Sequence, residues 1–111
     1  MANITLGGAP TETSGSLPDL NTTLTNFELT ASDLSTKTLN DYDGHRKVLN
    51  IFPSVDTGVC ATSSRKFNEA AASLENTKVL CISRDLPLAQ ARFCAAEGLE
   101  EVEMLSDVKT W

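Results

Sequence analysis

An apolar run near the middle of the chain predicts a strand. Residues 48–52 (VLNIF) are apolar except for Asn50, and Pro53 ends the run. A short continuous apolar run is typical of a strand that is covered on both faces in a parallel α/β sheet. We therefore predict a buried parallel strand immediately before Pro53.

Helical spacing follows this strand. The loop SVDTGV, residues 54–59, contains residue types that suit turns and helix N-caps. From the end of this loop onward, apolar side chains recur at helical intervals: Val59, Phe67, Ala70 and Leu74. This pattern predicts a first helix directly after the loop.

Cys60 lies in the first turn of that predicted helix. Free backbone N–H groups and the positive end of the helix dipole favour an anion there. A thiol at this place should therefore ionise more readily than a free one. Arg65 and Lys66 follow closely and add positive charge. The residues alone thus predict a reactive thiolate at Cys60.

A second strand and a second helix come next. Residues 79–83 predict a buried strand, in which Cys81 packs as a small hydrophobe. We expect Asp85 to cap the following helix and Pro87 to occupy its first turn, where the missing N–H costs nothing. Cys94 belongs to this helix. Four residues are predicted to form its apolar face: Leu88, Ala91, Ala95 and Leu99.

Composition limits the class of protein. A chain of 111 residues allows one domain, and 41% hydrophobic with 22% charged residues is ordinary for a soluble globular protein. The net charge of -6 argues against a nucleic acid or an anionic membrane as the partner. The N-terminus lacks the features of a signal peptide, so we expect a cytoplasmic protein.

The cysteine count indicates thiol chemistry. Three cysteines are an odd number, which fits a reducing compartment better than a disulfide scaffold. These cysteines and the single histidine do not fall at zinc-site spacings, and no glycine-rich phosphate-binding motif is present. We therefore expect no metal and no cofactor. His45, beside a turn, is expected to be a solvated turn residue.

The loop before Cys60 carries a family resemblance. Pro53, Thr57 and Cys60 form a P-x-x-x-T-x-x-C arrangement, which resembles the active-site motif of the peroxiredoxins. The strings FPSVDTGVCATSSRKFNE (residues 52–69) and VLCISRDLPLAQARFCAAEGLE (residues 79–100) are similar to the bacterial thiol peroxidases, which are atypical two-cysteine peroxiredoxins.

The resemblance implies roles for four residues. Cys60 matches the peroxidatic cysteine, and Cys94 matches the resolving cysteine that forms a disulfide with it. Thr57 matches the hydroxyl that hydrogen-bonds thiolate and peroxide, and Pro53 matches the proline that shields the site from water. The substrates implied are hydrogen peroxide and alkyl hydroperoxides. Thioredoxin is the implied reductant, and a homodimer the implied assembly.

The resemblance also implies the fold. We expect one thioredoxin-like α/β domain of the peroxiredoxin type over residues 1–111, with an N-terminal β-hairpin in residues 1–16 and a partial core in residues 17–111. Residues 102–105 predict a short third strand. The C-terminal part of the family fold is missing, so the strand at residues 48–52 is expected to keep an unpaired edge.

One departure from the family pattern and one alternative motif leave other functions open. The arginine that the family carries on a later strand has no counterpart, and Arg84 and Arg92 are the candidates to replace it. The chain could then be a catalytically weak thioredoxin-like interaction module. Alternatively, Cys60 to Ser63 reads as the C-x-x-S of a monothiol oxidoreductase, although the spacing of Pro53 and Thr57 favours a peroxiredoxin.

Overall fold

The chain forms a small hairpin and one larger sheet. The computed structural model describes residues 2–13, 15 and 18–109. Within these residues there are seven strands, two α-helices and one 3-10 helix. In chain order they are β1 (Asn3–Leu6), β2 (Ala9–Glu12), β3 (Glu28–Ala31), β4 (Thr36–Thr38), the 3-10 helix (Leu39–Tyr42), β5 (Arg46–Ile51), α1 (Gly58–Ala71), β6 (Thr77–Ser83), α2 (Pro87–Glu97) and β7 (Val102–Ser106).

The N-terminal hairpin is present as predicted. Strands β1 and β2 pair antiparallel, and Leu6 lies opposite Ala9. Gly7 and Gly8 turn the chain between them with φ of 60° and 85°, a region that residues with a Cβ rarely adopt. The predicted boundary between residues 16 and 17 lies outside the described residues.

The larger sheet has five strands in the order β4-β3-β7-β6-β5. Strands β5, β6 and β7 are parallel, whereas β3 pairs antiparallel with both β4 and β7. The two parallel neighbours β6 and β7 correspond to the predicted second and third strands. They form the buried centre of the sheet, and Leu80 and Leu105 have no exposed surface.

Strand β5 differs from its prediction. Among the described residues it pairs only with β6, so it lies at the edge of the sheet. Residues 47–50 are half-buried and Ile51 is 69% exposed. The predicted parallel pairing is confirmed, and Val48 and Leu49 pack against apolar clusters on opposite faces of the sheet. The strand is half-buried where a buried one was predicted, because within the described part of the chain it has a neighbouring strand on one side only. The unpaired edge was expected.

The two helices pack on one face of this sheet. We call the apolar cluster beneath them the helix-side core; its buried members are Phe52, Val55, Val79, Cys81, Leu99, Val102 and Met104. Cys60 and Phe67 of α1 and Phe93 and Cys94 of α2 pack against it. The opposite face of the sheet has its own cluster around Leu80. Because side chains alternate along a strand, Cys81 and Leu80 serve different faces.

Helix α1 presents a different face from the predicted one. Only Phe67 of the four predicted residues contacts the helix-side core. Val59 is 84% exposed, and the helix ends at Ala71, before Leu74. Ala61 and Ser64 are buried instead. Because Ser64 is small and polar, a pattern based on large hydrophobic residues does not identify its side of the helix as the buried face.

Helix α2 matches its predicted apolar face only in part. Leu99 is buried just after the helix and Ala91 is half-buried, but Ala95 is exposed. Pro87 occupies its first turn and Gly98 caps its C-terminus with a φ of 66°, as these residue types favour. Leu88, however, is 64% exposed, whereas Gln90 has no exposed surface. The side-chain amide of Gln90 donates hydrogen bonds to Ser83 Oγ and to the carbonyl of Leu105, both at 3.0 Å. These bonds allow a polar side chain to face the core.

Candidate active site

The loop between β5 and α1 is built around Ser54. The carbonyl oxygen of Ser54 accepts hydrogen bonds from the backbone N–H of Thr57 at 3.2 Å and from its hydroxyl at 2.9 Å. The Ser54 hydroxyl accepts the N–H of Asp56 at 3.0 Å. Pro53 precedes this turn and is exposed. The loop therefore has a defined conformation that delivers the chain directly into α1.

Thr57 is the N-cap residue of α1, and Cys60 lies in its first turn. The Thr57 carbonyl accepts the first helical hydrogen bond, from Ala61 N–H at 3.0 Å. The Thr57 side chain makes no capping bond, since its hydroxyl is directed to Ser54. The N–H groups of the first turn have no partners inside the helix. Cys60 is half-buried against the helix-side core, and its predicted place at the helix N-terminus is confirmed.

Asp85 holds this loop, a role that differs from the predicted helix cap. The N-cap position of α2 is Leu86. The Asp85 carboxylate instead accepts hydrogen bonds from the Ser54 hydroxyl at 2.7 Å and the Val55 N–H at 2.9 Å. Asp85 follows β6, the parallel neighbour of β5, and parallel strands bring their carboxyl ends to one edge. Applied to the sequence, this rule places Asp85, which follows β6, beside Ser54, which follows β5.

Asp85 remains ionised because of these contacts. Burial by itself raises its pKa, but hydrogen bonds from the Ser83 hydroxyl, the Val55 N–H and the Ser54 hydroxyl outweigh burial and lower the pKa below its ordinary value of 3.8. The Ser83 hydroxyl donates at 2.6 Å. The ionised Asp85 carboxylate, which only accepts hydrogen bonds, therefore joins the end of β6 to the loop.

Cys94 lies in the last turn of α2. Its carbonyl oxygen accepts the N–H groups of Gly98 and Leu99, which end the helix. The side chain is half-buried against the helix-side core. Burial, with a smaller contribution from the nearby Cys81, raises the pKa of the Cys94 thiol to about 11. Cys94 is therefore a protonated, sheltered thiol at neutral pH.

The fold brings Cys60 and Cys94 to the same side of the sheet. Both pack against the helix-side core, and both are free thiols here. An ion pair between Arg65 and Glu97, with an N–O distance of 2.5 Å, joins α1 to α2. The two cysteines thus lie in terminal turns of neighbouring helices.

Comparison with known proteins agrees with this arrangement. A sequence profile described as Redoxin matches residues 15–110. The chain belongs to the Redoxin family. A thiol peroxidase from Corynebacterium glutamicum is 58% identical over 106 residues, which are 96% of this chain and 64% of that protein. A thiol peroxidase from Streptococcus pneumoniae is 49% identical, over 94% of this chain and 64% of that protein.

Solved structures show the same fold. A peroxiredoxin-like protein from Aquifex aeolicus superposes with a TM-score of 0.87 at 32% identity, covering 95% of this chain and 61% of that one. The expected thioredoxin-like α/β fold is therefore confirmed for this redoxin. The chain spans 64% of the length of the two thiol peroxidases. The relatives are thus longer proteins.

Three of the basic residues considered in the sequence form ion pairs with carboxylates. Arg65 pairs with Glu97, and Lys66 lies 3.7 Å from Glu69. Of the two arginines considered for the role of the family arginine, Arg84 pairs with Asp107 at 3.4 Å. Arg92 lines a cavity that Val55 and Asp56 of the loop also line. Arg92 is therefore the candidate that lies beside the loop.

The remaining candidates behave as structural residues. Cys81 is fully buried in β6, and burial raises the pKa of its thiol. It contacts the Asn50 side-chain amide across the strand pair at 3.7 Å. His45 is exposed beside its turn, with Nδ1 3.3 Å from the carbonyl oxygen of Asp43. No helix among residues 2–13, 15 and 18–109 has the length and apolar character to cross a bilayer.

Proposed function

We propose that this redoxin reduces hydroperoxides with Cys60, as part of a thiol peroxidase. The placement of Cys60 carries the proposal, because a half-buried thiol in the first turn of α1 follows directly on the loop of Pro53 and Thr57. The Cys60 thiolate attacks the terminal oxygen of hydrogen peroxide or an alkyl hydroperoxide. The O–O bond breaks, Cys60 becomes a sulfenic acid, and the leaving oxygen takes a proton to form water or an alcohol.

Thr57 and Pro53 prepare the site for this attack. The single hydroxyl proton of Thr57 is donated to the Ser54 carbonyl, so the Thr57 oxygen retains lone pairs that accept the O–H of a peroxide. We assign Pro53 the part of excluding water from the thiolate. Arg92, beside the loop, is the candidate for stabilising negative charge on the leaving oxygen.

Cys94 resolves the sulfenic acid in this scheme. Its sulfur attacks the Cys60 sulfur, an S–S bond forms, and the hydroxyl of the sulfenic acid leaves as water after taking the Cys94 proton. A disulfide requires Cα atoms within about 7 Å, and we propose that one or both of the terminal turns of α1 and α2 open to form it. The position of Cys94 in the last turn of α2 supports this step, since helix ends open most readily.

The proposal extends to the setting of the enzyme. A thiol reductant must return the disulfide to two thiols, and we propose that thioredoxin does so. We further propose that the protein is cytoplasmic and that residues 1–111 form one domain. We also propose a homodimer that associates near the loop. Exposed apolar side chains beside the site support association: Val59 is 84% exposed, Leu86 63% and Leu88 64%. Burial of such side chains stabilises an interface.

One stoichiometric reaction tests the function. The reduced protein is mixed with one equivalent of hydrogen peroxide, peroxide loss is followed, and the product is mapped by intact and peptide mass spectrometry. We expect rapid consumption and a disulfide between Cys60 and Cys94. Cys60→Ser should abolish both, whereas the matched control Cys81→Ala should retain both. Peroxide loss no faster than with free cysteine would refute the proposed function.

A further inference from the structure

The Asp85 carboxylate is anchored from the sheet. Ser83 and Ser106, which are 2% and 1% exposed, end β6 and β7. Ser83 donates its hydroxyl to the Asp85 carboxylate, and Ser106 donates its hydroxyl to the Asp85 carbonyl at 2.5 Å. Gln90 of α2 in turn donates to Ser83 Oγ at 3.0 Å. Strands β6 and β7 and helix α2 thus hold Asp85 in place.

The hydrogen bonds of this cluster have a fixed direction. Ser83 Oγ accepts the Gln90 amide, and Ser54 Oγ accepts the Asp56 N–H. Their hydroxyl protons are therefore available for donation, and both are donated to Asp85. The Val55 N–H adds a third donor to the same carboxylate. A carboxylate without a proton accepts all three bonds and leaves no donor of its own without a partner.

The anchored loop determines where α1 begins. Asp85 holds the Ser54 hydroxyl, and the Ser54 carbonyl holds both the N–H and the hydroxyl of Thr57. The Thr57 carbonyl then accepts the first helical hydrogen bond of α1. The position of the first turn, and with it the Cys60 thiol, is thereby set by a hydrogen-bond path that starts at Asp85.

We propose that Asp85 is a positioning residue for peroxide reduction, and that its carboxylate holds Ser54 and Val55 so that Thr57 and Cys60 meet the peroxide together. The inference rests on the proposed peroxidase function. Asp85 does not touch the reacting atoms; it acts through the loop. Its loss misaligns the Thr57 oxygen relative to the Cys60 sulfur, and alignment of reacting groups contributes strongly to rate.

The test compares two reactions of the same thiol. Both reactions are measured in a Cys94→Ser background. The second-order rate constant for formation of the Cys60 sulfenic acid is measured by trapping with dimedone and mass spectrometry. The rate of Cys60 alkylation is measured with iodoacetamide. Asp85→Ala should lower the peroxide rate constant at least about tenfold while changing alkylation less than about threefold. Asp85→Asn, which keeps one acceptor oxygen, should fall in between. Asp43→Asn, an exposed carboxylate on a turn, is the charge-matched control and should behave as the parent.

A second readout separates this inference from the proposed function. Backbone hydrogen exchange should accelerate in Asp85→Ala at Val55, Thr57 and Ala61, while the amides shared by β6 and β7 keep their protection. If the parent protein does not reduce peroxide, the proposed function fails, whereas this exchange pattern still tests the hydrogen-bond path. An unchanged peroxide rate constant in a folded Asp85→Ala variant, or equal losses in both reactions of Cys60, would overturn the positioning role.

Discussion

The sheltered state of Cys94 leads to a quantitative expectation about its reactivity. Burial and the nearby Cys81 raise the pKa of Cys94 from 9.0 to about 11. At pH 7 its thiolate fraction is then about one in ten thousand, roughly a hundredfold below that of a thiol of ordinary pKa. Because only the thiolate is alkylated, we expect iodoacetamide to modify Cys94 about a hundredfold more slowly than a free cysteine at this pH.

The assay uses the Cys60→Ser variant, so that no disulfide can form between the two positions. The folded protein is treated with iodoacetamide from pH 7 to pH 11, and modification of Cys94 is quantified in its peptide; the same peptide in urea provides the control. The rate in the folded protein should rise about tenfold per pH unit up to about pH 10. A plateau near pH 9, or equal rates in the folded and unfolded protein at pH 7, would refute the burial argument.

The same shift predicts a loss of stability at alkaline pH. A thiol whose pKa is raised on folding stabilises the native state fully below its unfolded pKa, and this contribution is lost as pH rises from 9.0 to about 11. The difference amounts to about 2–3 kcal/mol at most. Cys94→Ser cannot ionise in this range, so its unfolding free energy should fall less steeply above pH 9 than that of the parent in urea titrations.

Three further predictions concern stability, each measured by urea denaturation. Leu80→Ala should lower the free energy of unfolding by about 2–5 kcal/mol because Leu80 is fully buried. Leu88→Ala, at a 64% exposed position, should change it by less than about 0.5 kcal/mol. Comparable losses of stability in the two variants would contradict the buried and exposed positions assigned to these residues. Gly98→Ala should lower the free energy of unfolding by about 1 kcal/mol because Gly98 has a φ of 66°. Gly58→Ala should not lower it, because Gly58 does not have a positive φ and an added Cβ there contacts no other atom. The Asp85 carboxyl has a lowered pKa, so Asp85→Asn should be less stable than the parent at pH 7. The stability difference should begin to narrow as pH falls below about 4, where the unfolded chain takes up the proton. A difference that does not narrow below about pH 4 would show that the carboxylate charge is not responsible.

Local features of this fold could be predicted from sequence, whereas the choice of helix face could not. Several local features follow from properties of the residues themselves. These are the turn at Gly7 and Gly8, Pro87 at the start of α2, and Cys60 in the first turn of α1. The buried faces of both helices include polar residues, Ser64 and Gln90, which a search for large apolar side chains excludes. The burial of Gln90 depends on partners elsewhere, Ser83 Oγ and the Leu105 carbonyl, which are supplied by two separate strands.

The candidate site divides in the same way. Pro53, Thr57 and Cys60 are close in the chain, so their spacing indicates both the loop and its chemistry. Asp85 is remote from Ser54 in the chain, and its type is equally common at helix N-caps. Only the parallel pairing of β5 with β6 brings it to the loop. The residue that we infer to position Cys60 therefore becomes recognisable once strand order is known, because the carboxyl ends of adjacent parallel strands share one edge of the sheet.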